Sequence, residues 1–160
     1  MFFLYIFLVL LIINTIKTQK YHFYKEYTAI VSFMPNLKLH DVVIIYNDNK
    51  ESIITIDYTP LIQDNTIGLI NLFTGKNVSA QIRIRKLKSW DLDKWYQTKP
   101  ISIDDIYDSN LRKHLLTIQN DWNNNKKETG MNLYNHNCKH FSHFIMNYLS
   151  TLDSFFKVRH

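Results

Sequence analysis

The chain has 160 residues, a formal net charge of +5 and one cysteine. That length makes a single domain with a real core, and the lone thiol excludes an internal disulfide framework. The charge suits an anionic membrane surface but falls short of a nucleic-acid binder's, and no nucleic-acid partner is expected.

Residues 2–16, FFLYIFLVLLIINTI, are apolar apart from Asn14 and Thr15, and Lys17, Lys20 and Lys25 follow. As a helix this run spans about 22 Å, against a hydrocarbon core of about 30 Å. The short length suits a signal peptide. The missing basic start, the absent small-residue cleavage site and the lysines behind the run suit a retained anchor with a cytoplasmic domain. Residues 1–19 are thus expected to be a membrane anchor or a signal peptide, the latter implying secretion, and residues 20–160 the folded domain. Asn77-Val78-Ser79 is a glycosylation sequon that matters only after secretion.

Residues 28–33 read as a first strand. Residues 37–46, LKLHDVVIIY, and 51–58, ESIITIDY, read as a hairpin around Asn47-Asp48-Asn49-Lys50, with Pro60 ending the return strand. Both strands are apolar on both faces, which predicts a central, covered hairpin. A loop passes through Gly68 and Gly75 to residues 79–87, SAQIRIRKL, whose alternation predicts a half-exposed strand. Arg83, Arg85, Lys86 and Lys88 then form a solvated basic face. The segment after Asp91, with Trp95 and Tyr96, reads as a short helix or turn.

Ser102-x-x-Asp105 is a capping-box variant that opens a helical segment. Ile106, Leu111, Leu115, Leu116, Ile118 and Trp122 supply its apolar stripe, with a break near Ser109-Asn110. Residues 123–130 form a loop. The last helix covers residues 137–149 and gathers Cys138, Phe141, Ile145, Tyr148 and Leu149 on one face. The fold class is therefore α+β, a small antiparallel sheet against a C-terminal helix that carries Cys138, preceded by a hydrophobic N-terminal helix.

Cys138 at a helix start has two readings. It is a small buried hydrophobe, or it is a nucleophile, because the helix dipole and backbone N–H groups favour thiolate over thiol. A nucleophile needs a base, and the base an orienting partner. With the hairpin turn centred between Asp48 and Asn49, His40 falls directly opposite Asp57 on the same face, where an imidazole and a carboxylate can hydrogen-bond. His40, Asp57 and Cys138 are accordingly expected to converge on one cleft. A second constellation, His136, Cys138, His140 and His143, has the residue types of a zinc site, but its spacing matches no common structural arrangement. No metal or cofactor is expected.

Strand-borne His40 in HDVVIIY, then IDYTP, then NCKHF at a helix start, resembles the permuted papain-fold thiol hydrolases of the NlpC/P60 superfamily. That superfamily includes lecithin–retinol acyltransferase-like and PPPDE-like branches, and small membrane-anchored viral proteins of this type also occur. The resemblance covers roughly residues 28–149. It implies a circularly permuted papain-like fold, with His40 as base and Cys138 as nucleophile. Asp57 stands where the acyltransferase branch often carries a His, so an orienting role is kept while the branch stays open. The resemblance implies a membrane-associated cysteine hydrolase or acyltransferase acting on an ester, thioester, amide or isopeptide bond of a lipid or protein. The alternative is a catalytically silent, membrane-anchored interaction module.

Overall fold

The computed structural model describes residues 20–28, 40–50, 52–61, 66–88, 98–124, 130–152 and 154–158. The hydrophobic run at 2–16, all but Thr28 of the strand expected at 28–33, and the helix or turn expected after Asp91 lie outside them. Among the described residues no helix is long and apolar enough to cross a membrane.

Five strands make one sheet: β1 (Tyr21–Thr28), β2 (His40–Asn47), β3 (Ile53–Pro60), β4 (Ala80–Leu87) and β5 (Phe156–Val158). Their order is β4-β3-β2-β1-β5. Neighbours are antiparallel except β1 and β5, which run parallel. The hairpin is central, as its apolar pattern predicts. β2 is buried along its whole length, and β3 at every residue but Pro60. β1 is a strand the sequence reading does not foresee, and it ends at Thr28, the one described residue of the strand expected at 28–33. Tyr21 and Phe23 alternate into the core, and the charged pair Lys25-Glu26 masked the pattern.

Among the described residues three helices accompany this sheet: α1 (Thr66–Phe73), α2 (Ser109–Asn124) and α3 (Cys138–Ser150). α1 replaces the loop expected through Gly68. A helical glycine costs about 1 kcal/mol against alanine, while burial of one large apolar side chain such as Leu72 returns about 1.5–3 kcal/mol. Gly75, with φ +79°, ends the helix: its N–H bonds the Leu72 carbonyl in a left-handed cap. The break expected near Ser109 is real. Ser102 and Asp105 form a full capping box on a 3-10 turn at Ile103–Asp105, and α2 then starts afresh with the Asp108 carboxylate on the Leu111 N–H.

Leu111, Leu115, Ile118 and Trp122 of α2 meet Phe141, Ile145 and Leu149 of α3 over Phe23, Val43, Ile45, Ile54, Ile56 and Tyr58 of the sheet. The other sheet face carries a smaller apolar cluster of Val42, Ile44, Tyr46, Ile53 and Leu87. Next to that cluster lie the buried polar residues Thr55, Asp57, Arg83 and Arg85.

Candidate active site

Asn137 starts α3. Its backbone is extended, and its side-chain oxygen accepts the N–H groups of Lys139 and His140. Cys138 is therefore the first helical residue, and its own amide is the helix-start N–H that Asn137 leaves to other partners. The loop before it is tied to the β3–β4 end of the sheet. Val78 and Met131 exchange backbone bonds, and the Asn132 side chain donates to Asn77. Gly130 permits this approach: at φ +111°, a Cβ there would stand 2.6 Å from the Val78 carbonyl oxygen. One turn into α3, the Ser142 hydroxyl donates to Asp41 Oδ2 at 2.8 Å, and Lys25 pairs with the same oxygen at 3.3 Å. Ser142 is four residues beyond Cys138, and Asp41 adjoins His40. This buried bond sets the helix in register with the strand that carries the histidine.

His40, Asp57 and Cys138 come together. His40 Nε2–H donates to Asp57 Oδ2 at 2.8 Å, and the Cys138 side chain hydrogen-bonds to the same imidazole. With Nε2 on the carboxylate, Nδ1 is the ring nitrogen left to the sulfur. The hairpin register differs from the expected one by two residues. Val43 pairs with Ile56 and Tyr46 with Ile53, because the turn is longer: Asn47 rejoins the ladder at Ser52, and Lys50 takes a left-handed φ of 58°. In this register Thr59 stands opposite His40, and Asp57 is its diagonal neighbour. A slip of two preserves the face, where a slip of one would reverse it. Diagonal pairs remain within reach of long side chains. His40 is also the first residue of β2. At that strand end its ring meets Asp57 on one side of the sheet and the helix start on the other.

Arg83 and Arg85 are not a solvated face. They are 8% and 3% exposed and converge on Asp57. Arg83 donates from Nε (3.2 Å) and Nη2 (2.7 Å) to Oδ2, and Arg85 donates from Nη1 (2.9 Å) to Oδ1. The alternation of SAQIRIRKL is genuine, but its basic side turns inward because Asp57 on β3 lies directly across from Arg83. Lys86 and Lys88 are exposed, as expected.

Burial works against charge on His40. The hydrogen bonds to Asp57 and Cys138, with their charges, outweigh it and raise the ring to about 9. Burial likewise opposes an ionised Asp57, but His40 and Arg83 hold it below its ordinary value. Burial and the like charge of Arg83 push Arg85 down to about 10, which leaves it charged at neutral pH.

The other histidines near Cys138 have separate tasks. His136 donates through Nδ1 to the Gly130 carbonyl and stacks on Trp122 with ring centres 4.5 Å apart. His140 Nδ1–H bonds the Asn137 side chain, and His143 is exposed. Among the described residues no cluster of His, Cys, Asp or Glu has the spacing to hold a metal ion. A cavity of about 320 Å³ lined by Tyr21, Asn47, Lys86, Tyr107 and Asp108 lies at the other end of the sheet, since Tyr21 pairs with Asn47 and Thr28 with His40. Cys138 itself is 7% exposed, so its sulfur sits beneath the surface rather than in an open cleft.

Arg83, Arg85, Asp41 and Ser142 escaped the sequence reading. A usable signal existed for the arginines alone: two basic residues spaced by two, in phase with Leu87 on a strand. Compared with family models, curated proteins and solved structures, the chain matches none.

Proposed function

We propose that the protein is a membrane-associated cysteine hydrolase or acyltransferase with a circularly permuted papain-like arrangement. The observation that carries this reading is His40, hydrogen-bonded to both Cys138 and Asp57 in a buried site. His40, raised to about 9, already holds the thiol proton on Nδ1 at neutral pH, and the sulfur attacks the carbonyl of an ester, thioester or amide. The C–S bond forms, and negative charge develops on the carbonyl oxygen near the start of α3, where the Cys138 N–H and the helix dipole favour it. His40 then returns the proton to the leaving oxygen, sulfur or nitrogen, and the acyl group stays on Cys138. Water or an acceptor attacks in turn, losing its proton to His40, and the thiol is released. Asp57 holds the Nε2–H tautomer throughout and is not itself protonated.

The chain order supports the permuted arrangement, because the histidine strand precedes the cysteine helix. Exposed Leu61, Ile67, Ile70 and Phe73, in the connection after β3, lie at the end of the sheet that carries His40. They favour an apolar substrate such as a lipid ester or acylated protein. As a retained anchor the run at 2–16 supplies the membrane association; as a signal peptide it directs secretion instead.

Thiol alkylation tests this reading, because Cys138 is the single cysteine. Iodoacetamide should label it near neutral pH, and His40→Ala and His40→Gln should slow labelling by at least tenfold. Equal, slow labelling in all three proteins would instead support the silent interaction module, which the 7% exposure of Cys138 favours.

A further inference from the structure

Asp57 is an unusual orienting group because His40 is a minority among its partners. Its two oxygens accept four hydrogen bonds, one from His40 and three from guanidinium groups. A carboxylate oxygen offers about two lone-pair positions, so three donors crowd Oδ2 while Oδ1 takes one. Oδ2, which serves the imidazole, also takes both bonds from Arg83, while Arg85 sits on Oδ1. β4 delivers both arginines from one strand face, and Arg83 is the direct cross-strand partner of Asp57. Asp57 is thus held at both oxygens, and its negative charge is divided among three donor residues.

We propose that Arg83 and Arg85 are positioning residues of the Cys138–His40 site: they clamp Asp57 so that it binds His40 through Nε2 alone, turns Nδ1 to the sulfur, and shares out the charge it offers the ring. The inference rests on the hydrolase or acyltransferase reading. An orienting carboxylate paired only with histidine would hold the imidazolium too firmly for it to release a proton to the leaving group. Sharing Oδ2 with Arg83 weakens that hold while keeping the aim. Arg83 therefore acts on His40 more strongly than Arg85 does.

The test is the pH dependence of Cys138 alkylation by iodoacetamide in the full chain. The upper inflection of that profile follows His40 and should lie near 9 in the wild type. Arg83→Gln frees Oδ2 for the imidazole and removes a neighbouring positive charge, so the inflection should rise by on the order of 1 pH unit. Arg85→Gln should raise it less. Arg83→Lys keeps the charge without the double bond to Oδ2 and should give an intermediate shift. An unchanged inflection in folded Arg83→Gln overturns the proposal. If that variant does not fold, Arg83→Lys decides alone, and no upward shift there is equally fatal. In the wild type, ring ¹⁵N resonances should report His40 as the Nε2–H tautomer above the inflection, and the Nδ1–H form would also overturn the clamp. Failure of the underlying reading looks different: His40→Ala would then leave the wild-type profile unaltered.

Discussion

The two faces of β3 solve the same problem by opposite means. Ile54, Ile56 and Tyr58 point into the large helix-covered core, where many side chains share the packing. One residue out of phase, Thr55 and Asp57 are equally buried but lie among arginines and a histidine. Apolar packing is non-directional, so loss of a methyl group costs only that group and the space it leaves. The charged face is directional, and each member is needed to satisfy the others. A buried network of this kind is weak evidence for added stability, but removing one partner from it is expensive.

Adjacent residues on β3 give the strongest way to break that contrast. Asp57→Ala leaves His40, Arg83 and Arg85 buried without their shared carboxylate and should destabilise the fold by about 3–5 kcal/mol in urea unfolding. Ile56→Val, one residue away on the other face, should cost about 0.5–1.5 kcal/mol. Comparable losses from the two would mean that the polar face is no more demanding than the core.

The charged face should also give stability a pH dependence that the apolar face lacks. His40 moves from an ordinary 6.5 to about 9 on folding. Its contribution is complete below about 6.5 and disappears as pH rises through 9. Asp57 is held below its ordinary 3.8, so its contribution is present above that value and is lost as pH falls through the lower folded value. Urea midpoints measured against pH should therefore decline on the alkaline side through about 9. His40→Gln should flatten that slope, and a slope that persists would assign it to another group.

Smaller effects sharpen the picture. Asn137→Ala removes the cap of α3 and should cost about 1 kcal/mol, with slower Cys138 alkylation as the helix start loosens. An unchanged alkylation rate would separate helix capping from thiol reactivity. Thr55→Val should be the mildest change. The buried Thr55 hydroxyl has no hydrogen-bond partner among the described residues, so its removal should be neutral or stabilise by up to about 1 kcal/mol. A clear loss of stability would mean that this hydroxyl has a partner in solution.

By itself the sequence determined the elements whose signals are local and periodic. The doubly apolar hairpin announced a covered centre, the Ser102–Asp105 spacing announced a capped turn, and NCKHF announced a helix that opens at Cys138. It also put His40 and Asp57 on one face, because that inference depends only on strand parity and survives a two-residue error in register. Tertiary structure alone decided the rest. α1 folds across Gly68 because burial of Leu72 outweighs a local preference. β5 has three residues and exists only through its pairing with β1. The direction of the SAQIRIRKL alternation was invisible, since an alternating strand shows that two faces differ but not which is wet. That choice belongs to Asp57 on the neighbouring strand, whose buried charge draws Arg83 and Arg85 inward.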